Sequence, residues 1–189
     1  YDSAFTDAFF LRKLSIWMFL EMVISQVLNL YFSSYVSNLS KALEKEGVRY
    51  LAVFTIEEGI ELREAGVKSD ILLYSKLNPH GIDSAIKHKL TLNISSFDDL
   101  EILKQHNVQE HTLKVHLKID TGMTRLGVDH NHAEDFFRQA RDIDHIEIEG
   151  LYSHFATADE GDLTYAKSQL DNFNAVLTIA EELDINPVL

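Results

Sequence analysis

The chain has 189 residues, 46% apolar and 25% charged, enough for one domain with a sizeable core. A net charge of −13 argues against nucleic-acid binding, since phosphate contacts want Lys and Arg in excess. There is no Cys, which excludes disulfides and thiolate metal sites, and 8 Gly with 2 Pro leave no low-complexity linker.

In chain order, the first feature is Leu14 to Phe32, mostly apolar and preceded by Arg12-Lys13. It holds Ser15, Glu21, Ser25, Gln26 and Asn29. Such polar content speaks against a spanning helix, and no small-residue cleavage site follows it. We read it as a buried strand with a flanking helix and expect a cytoplasmic protein without membrane attachment. Strand-like apolar runs then recur at Met22–Leu28, Tyr50–Phe54, Ile71–Tyr74, Leu90–Ile94, Leu113–Ile119 and Ile146–Tyr152. Helical patterns lie between them. Ser37 to Lys45 places Leu39, Ala42 and Leu43 on one face before Gly47 stops it. Thr55 with Glu58 spells a capping box, and Gly66 ends that helix. Ser96 caps another, with Asp98, Asp99 and Glu101 at its dipole-positive end. Asn131 to Ile143 and Leu163 to Leu183 complete the series.

Alternating strands and helices predict right-handed parallel crossovers. An open doubly wound sheet usually carries a Gly-rich phosphate turn after its first strand, and none is present. A (β/α)8 TIM-type barrel fits better, because polar residues cluster at strand C-terminal ends, where barrels place their chemistry. The fold class is therefore α/β, a partial barrel with about six of its eight strands in the sequence. The chain opens on Tyr1 and stops at Asn186-Pro187-Val188-Leu189, a strand-like start, so we expect a piece of a longer protein.

The run Leu113 to Asp120 alternates strictly. Leu113, Val115, Leu117 and Ile119 share one face; Lys114, His116, Lys118 and Asp120 share the other. A charged face on a parallel strand covered on both sides calls for a binding site. Lys118 and Arg125 bracket a tight turn through Thr121-Gly122, and His154 ends the next strand. Neighbouring strands lie ~4.8 Å apart, so these side chains can converge at the barrel mouth. Two cations with an imidazole suggest an anionic or aromatic ligand. The remaining histidines fit no metal pattern: His130 and His132 are badly spaced for zinc, no His-Glu-x-x-His string exists, and no metal is expected. No Gly-x-Ser-x-Gly elbow appears either.

Two strings, Lys118-Ile-Asp-Thr-Gly-Met-Thr-Arg-Leu-Gly127 and His154-Phe-Ala-Thr-Ala-Asp159, resemble the N-terminal barrel of the alanine racemase family. Leu51-Ala-Val, Glu57 to Gly66, and Gln169 with Phe173 add weaker support. The resemblance runs from about Val27 onward; residues 1–26 match poorly, and the family's C-terminal β-domain is not in this sequence. It implies a pyridoxal 5′-phosphate (PLP) enzyme that removes and returns the α-proton of alanine, PLP acting as the electron sink. It implies catalytic roles for Lys118, Arg125 and His154, and cofactor contacts for Tyr31, Arg125 and His154. Arg125 would hold the cofactor's phenolic oxygen. Lys118 matches a lysine the family carries as a carbamate, which would orient Arg125, and His154 would lie against the cofactor ring. It further implies a small amino acid as substrate and a homodimer for the full-length protein.

One motif departs from the family. The segment that should carry the cofactor lysine falls on Gln26-Val27-Leu28-Asn29-Leu30-Tyr31-Phe32-Ser33-Ser34. Asn29 and Tyr31 match; the lysine position is Val27, which has no amine. Alternative readings are a non-catalytic barrel fragment, a racemase for serine or another amino acid, and a membrane-tethered racemase.

Overall fold

The computed structural model describes residues 32–106 and 112–187, with the side chains of 32–35 left aside. The expected strand Met22–Leu28, and with it Val27 and Tyr31, lies outside the described residues. Helix α1 (Phe32–Lys45) leads into β1 (Tyr50–Val53), α2 (Ile56–Glu64) and β2 (Asp70–Leu73). A 3-10 turn (Pro79–Gly81) and α3 (Ile82–Lys87) precede β3 (Thr91–Ile94), α4 (Phe97–Gln105) and β4 (Leu113–Asp120). The short β5 (Val128–Asp129), a second 3-10 turn (His130–His132), α5 (Ala133–Arg141), β6 (Ile146–Tyr152) and α6 (Thr164–Glu182) follow. Among the described residues no helix is long and apolar enough to cross a membrane.

The six strands form one sheet of parallel pairs. β1, β2, β3 and β4 pair in chain order, and β4 then takes β6 on its other side. This is the strand–helix–strand progression of a partial TIM-type barrel. Strand β5 is not among the expected strands. It has only two residues, too few for any periodicity, and extends the ladder at the end of β4 through Ile119↔Val128 and Asp120↔Asp129.

Paired residues in a parallel ladder point to the same face, so the sheet has one apolar and one polar side. Ile71, Ile94, Val115, Leu117 and Ile119 are fully buried on the helix-covered side. Leu100 and Leu103 of α4, Phe136 and Phe137 of α5, and Val176 and Ala180 of α6 pack over them. On the opposite side lie Tyr50, Asp70, Asn93, Lys114, His116 and Lys118, as the registers Tyr50↔Asp70 and Asn93↔His116 require.

Local chemistry fixes the helix starts. The Thr55 hydroxyl accepts from the Glu58 N–H at 3.2 Å while the Glu58 carboxylate accepts from the Thr55 N–H, the reciprocal pair expected from the sequence. Ser96 accepts from the Asp99 N–H in the same way. Arg63 has a structural task in the Glu57–Gly66 string. Its guanidinium donates to the carbonyls of His88, Val67, Ser69 and Lys89 at 3.0, 3.0, 2.7 and 2.9 Å, tying α2 to the turns around it.

Candidate functional site

The site begins where β4 runs out. Asp120 ends the strand and its Oδ1 accepts from the Gly122 and Thr124 N–H groups at 2.8 and 3.0 Å. This side-chain turn folds the segment back on itself. The return passes through Gly127, whose φ of +124° suits glycine and few other residues. A Cβ there would stand 2.8 Å from the Asp120 nitrogen and 3.1 Å from the Lys118 oxygen, both backbone atoms that cannot move aside. Gly127→Ala is therefore expected to destabilise the protein by ~1–3 kcal/mol, the usual cost of overpacking, and to displace Arg125. Urea denaturation monitored by circular dichroism checks the first effect; an unchanged midpoint contradicts it.

The turn carries Arg125 to the mouth of the sheet. Lys118, Ile119, Asp120, Met123, Arg125, Leu126, Ser153 and His154 line one shallow, open recess. The three residues singled out from sequence, Lys118, Arg125 and His154, thus meet at one place; Tyr31 lies outside the described residues. Lys118 is only 6% exposed, and its ammonium stands 4.3 Å from the centre of the Tyr152 ring. Cation–π attraction offsets part of the cost of burying that charge. The Tyr152 hydroxyl donates to Asn93 at 2.8 Å, so the ring is held from its far end.

Two neutral side chains brace the loops. Gln169 on α6 is 1% exposed. Its amide donates to the His154 carbonyl at 3.2 Å and its oxygen accepts from the Ala156 N–H at 2.9 Å. The Thr121 and Ser153 hydroxyls hydrogen-bond at 2.8 Å, and Tyr165 donates to the Gly122 carbonyl at 2.7 Å. These contacts join the turn after β4 to the loop after β6, so Arg125 and His154 are held to one frame. The sequence strings contain Gln169, Tyr152 and Tyr165, but periodicity gives no sign of their bracing roles.

Burial, reinforced by the Lys118 and Arg125 charges, pushes the His154 imidazole down from 6.5 to about 4. It is neutral at pH 7 and can donate from one nitrogen and accept at the other. His116, deeper on the same face, is also pushed down to about 4, burial outweighing the attraction of Glu149 and Asp70. For both groups the unfolded chain binds a proton below about pH 6.5 while the folded protein stays neutral until about pH 4. Stability is expected to fall as pH drops through that window, by up to roughly 1.4 kcal/mol per pH unit per histidine. Denaturant midpoints at several pH values between those limits check this, and His154→Asn should flatten the slope; a slope unchanged by that substitution contradicts it.

Electrostatically the recess is set for an anion. Asp120 spends its carboxylate on the turn, and among the described residues no carboxylate lies within ion-pair distance of Arg125. A guanidinium fork, an ammonium and a neutral imidazole, flanked by Met123 and Leu126, fit a flat anionic ligand with apolar edges.

Comparison with known proteins agrees with this picture. Residues 34–189 match the family described as "Alanine racemase, N-terminal domain". The chain belongs to the alanine racemase family. That membership agrees with the partial TIM-type barrel described above. The chain is 37% identical over 148 residues to alanine racemase 1 of Caldanaerobacter subterraneus subsp. tengcongensis, covering 77% of this chain and 38% of that protein. It is 38% identical over 148 residues to the alanine racemase of Halalkalibacterium halodurans, covering 76% of this chain and 37% of the relative. A solved alanine racemase of Clostridium difficile 630 superposes with a TM-score of 0.77 at 32% identity, over 82% of this chain and 44% of that one. The chain therefore spans less than half the length of the relatives it matches.

Proposed function

We propose that this protein binds PLP at the Lys118–Arg125–His154 recess and interconverts L-alanine and D-alanine. The observation that carries the reading is the convergence of those three side chains on one recess at the C-terminal ends of β4 and β6. PLP supplies a sink for the electron pair left behind when the α-proton departs. The residues of the chain do the rest. Arg125 donates to the phenolic oxygen and favours its anionic form. His154, kept neutral, would border the bound cofactor without adding charge beside Arg125. Lys118 and Arg125 are like charges lining one recess; addition of dissolved carbon dioxide to the deprotonated Lys118 amine, with release of a proton to solvent, would form a carbamate anion and replace that repulsion with an ion pair that aims Arg125. Tyr31 completes the cofactor contacts. The substrate is a small amino acid, the full-length protein works as a cytoplasmic homodimer, and its remaining groups lie in the portion the relatives have beyond this chain.

The test is to add PLP and follow the absorbance of an imine that borohydride makes permanent. Covalent trapping supports the racemase reading. Val27 favours a second one: with no amine at the position that matches the family's cofactor lysine, the barrel holds PLP without catalysis. Saturable PLP binding with no trapped adduct and no racemisation selects that reading. Racemisation of serine in preference to alanine would change the substrate and leave the site assignment in place.

A further inference from the structure

Asn93 is an unusual occupant of a buried strand. It lies in β3, inside the apolar run Leu90–Ile94, and is 1% exposed. Asn is disfavoured in strands, and a buried amide costs stability unless its donors and its oxygen are used. Here both ends are used. Asn93 Nδ2 donates to the Tyr74 and Ser75 carbonyls, just past the end of β2, at 3.4 and 3.1 Å. Asn93 Oδ1 accepts from the Tyr152 hydroxyl at 2.8 Å. The two carbonyls fix the orientation of the amide, because a flipped amide would set oxygen against oxygen at the β2 end. An acceptor is then what Asn93 offers Tyr152, and the phenol donates.

Tyr152 reaches Asn93 across an intervening strand, since β4 lies between β3 and β6. Strand β6 holds one extra residue, Glu149. The pairs Leu113↔Ile146, Lys114↔Glu147 and Val115↔Ile148 are followed by His116↔Gly150, Leu117↔Leu151 and Lys118↔Tyr152. Without this β-bulge the count would set Tyr152 opposite Ile119, on the helix-covered side. With it, Tyr152 shares the polar face with Lys118, and its hydroxyl spans β4 to meet Asn93. A ring leaning over β4 lies beneath the side chain of its own pair partner. The Lys118 ammonium stands 4.3 Å from the ring centre, and the ring makes a T-shaped contact with His116 at 6.3 Å between centroids. Lys118 lines the recess and Tyr152 does not, so the ring acts on a ligand there through Lys118.

We propose that Asn93 and Tyr152 form a positioning pair for Lys118: the Asn93 amide tethers the phenol at its far end, and the tethered ring sets where the Lys118 amine stands in the recess. The bearing on PLP rests on the functional reading above; the effect on Lys118 does not. The experiment uses the intact chain with ¹³C-labelled lysine and histidine. It reads the Lys118 ε-methylene and His116 ring signals by NMR without ligand, and PLP affinity by fluorescence. In the unsubstituted protein the Tyr152 ring current should hold the Lys118 ε-protons upfield of the other lysines, and Tyr152→Leu should abolish that shift. Tyr152→Phe keeps the ring and loses the tether; Asn93→Leu keeps the phenol and loses its acceptor. Each should remove most of the upfield shift, move the His116 signals and weaken PLP binding roughly tenfold, as loss of a desolvated cation–π contact would. Both cut the same hydrogen bond, so the double variant should match either single one. A merely structural Asn93 would lower thermal stability without this coupling.

Lys118 signals unmoved in Tyr152→Phe overturn the proposal, as does a double variant whose effects are the sum of the two singles. So does a Lys118 that moves while His116 stays fixed, because the ring would then have kept its place. Should Asn93→Leu or the double variant fail to fold, Tyr152→Phe decides the question. If the parent fails to bind PLP while Lys118 still moves in the variants, the positioning pair stands and the cofactor reading falls.

Discussion

Arg125→Ala is expected to weaken PLP binding by about 1.5–3 kcal/mol, roughly ten- to a hundredfold, because it removes a charged donor to the ligand. The substitution should leave the fold intact. Arg125 is exposed, and the turn that presents it is held by Asp120, Gly127, Thr121 and Tyr165, none of which touches the guanidinium in a hydrogen bond. Where the protein racemises alanine, turnover should fall further, by ~10²–10³, the cost of deleting one positioned electrostatic donor. Arg125→Lys should recover little of either, since an ammonium cannot reproduce the planar fork. Fluorescence titration with PLP and racemisation assays measure the two losses. Unchanged affinity would remove Arg125 from the cofactor site, and lost secondary structure in Arg125→Ala would show that its task is structural.

Phe136→Ala is expected to cost about 3–5 kcal/mol of stability. Phe136 is fully buried in α5, edge-on to Phe97 at 5.4 Å and beside Phe137 at 6.4 Å between ring centres. Removing the ring opens a cavity between two helices, at a point where close-packed neighbours relax only in part. A loss of this size is a large fraction of the 5–15 kcal/mol typical of a domain, so the variant should be partly unfolded at physiological temperature. Thermal unfolding followed by circular dichroism measures it; a loss under ~1 kcal/mol would mean that the α4–α5 contact is not part of the cooperative core.

Much of this fold is legible in the sequence because its strands are short apolar runs with turn signals at their ends. β1, β2, β3, β4 and β6 fall where Tyr50, Ile71, Leu90, Leu113 and Ile146 open such runs, each within a residue of its observed start. The Thr55–Glu58 and Ser96–Asp99 caps are equally plain, since capping is a local reaction between neighbours. What escapes is what has no period. β5 is two residues bonded to the tip of β4, and α3 is a six-residue helix after a proline turn, too short to show a face. The bulge hides better still: counting from Ile146 by twos sends Tyr152 to the wrong face, and only the pair Glu149-Gly150 inside an apolar run hints at a break in the alternation. Convergence of Lys118 and His154 can thus be anticipated from strand order, while the reason Lys118 and Tyr152 share a face becomes visible only in the register.

The same division holds for the site. Lys118, Arg125 and His154 stand out because charges at the ends of buried parallel strands need an explanation. Gln169 does not, because a buried glutamine on a long helix looks like any surface glutamine until its three hydrogen bonds are seen. Tyr152 reads as an ordinary strand aromatic, yet it is the ring beneath the Lys118 ammonium.

The most direct measurement of the central claim is a PLP titration of the histidine-labelled protein followed by NMR. If an ammonium, a guanidinium and an imidazole share one ligand, PLP should shift the His154 resonances saturably, and Arg125→Ala should weaken that shift in parallel with affinity. PLP binding that leaves His154 undisturbed, or a His154 shift indifferent to Arg125, would contradict the account.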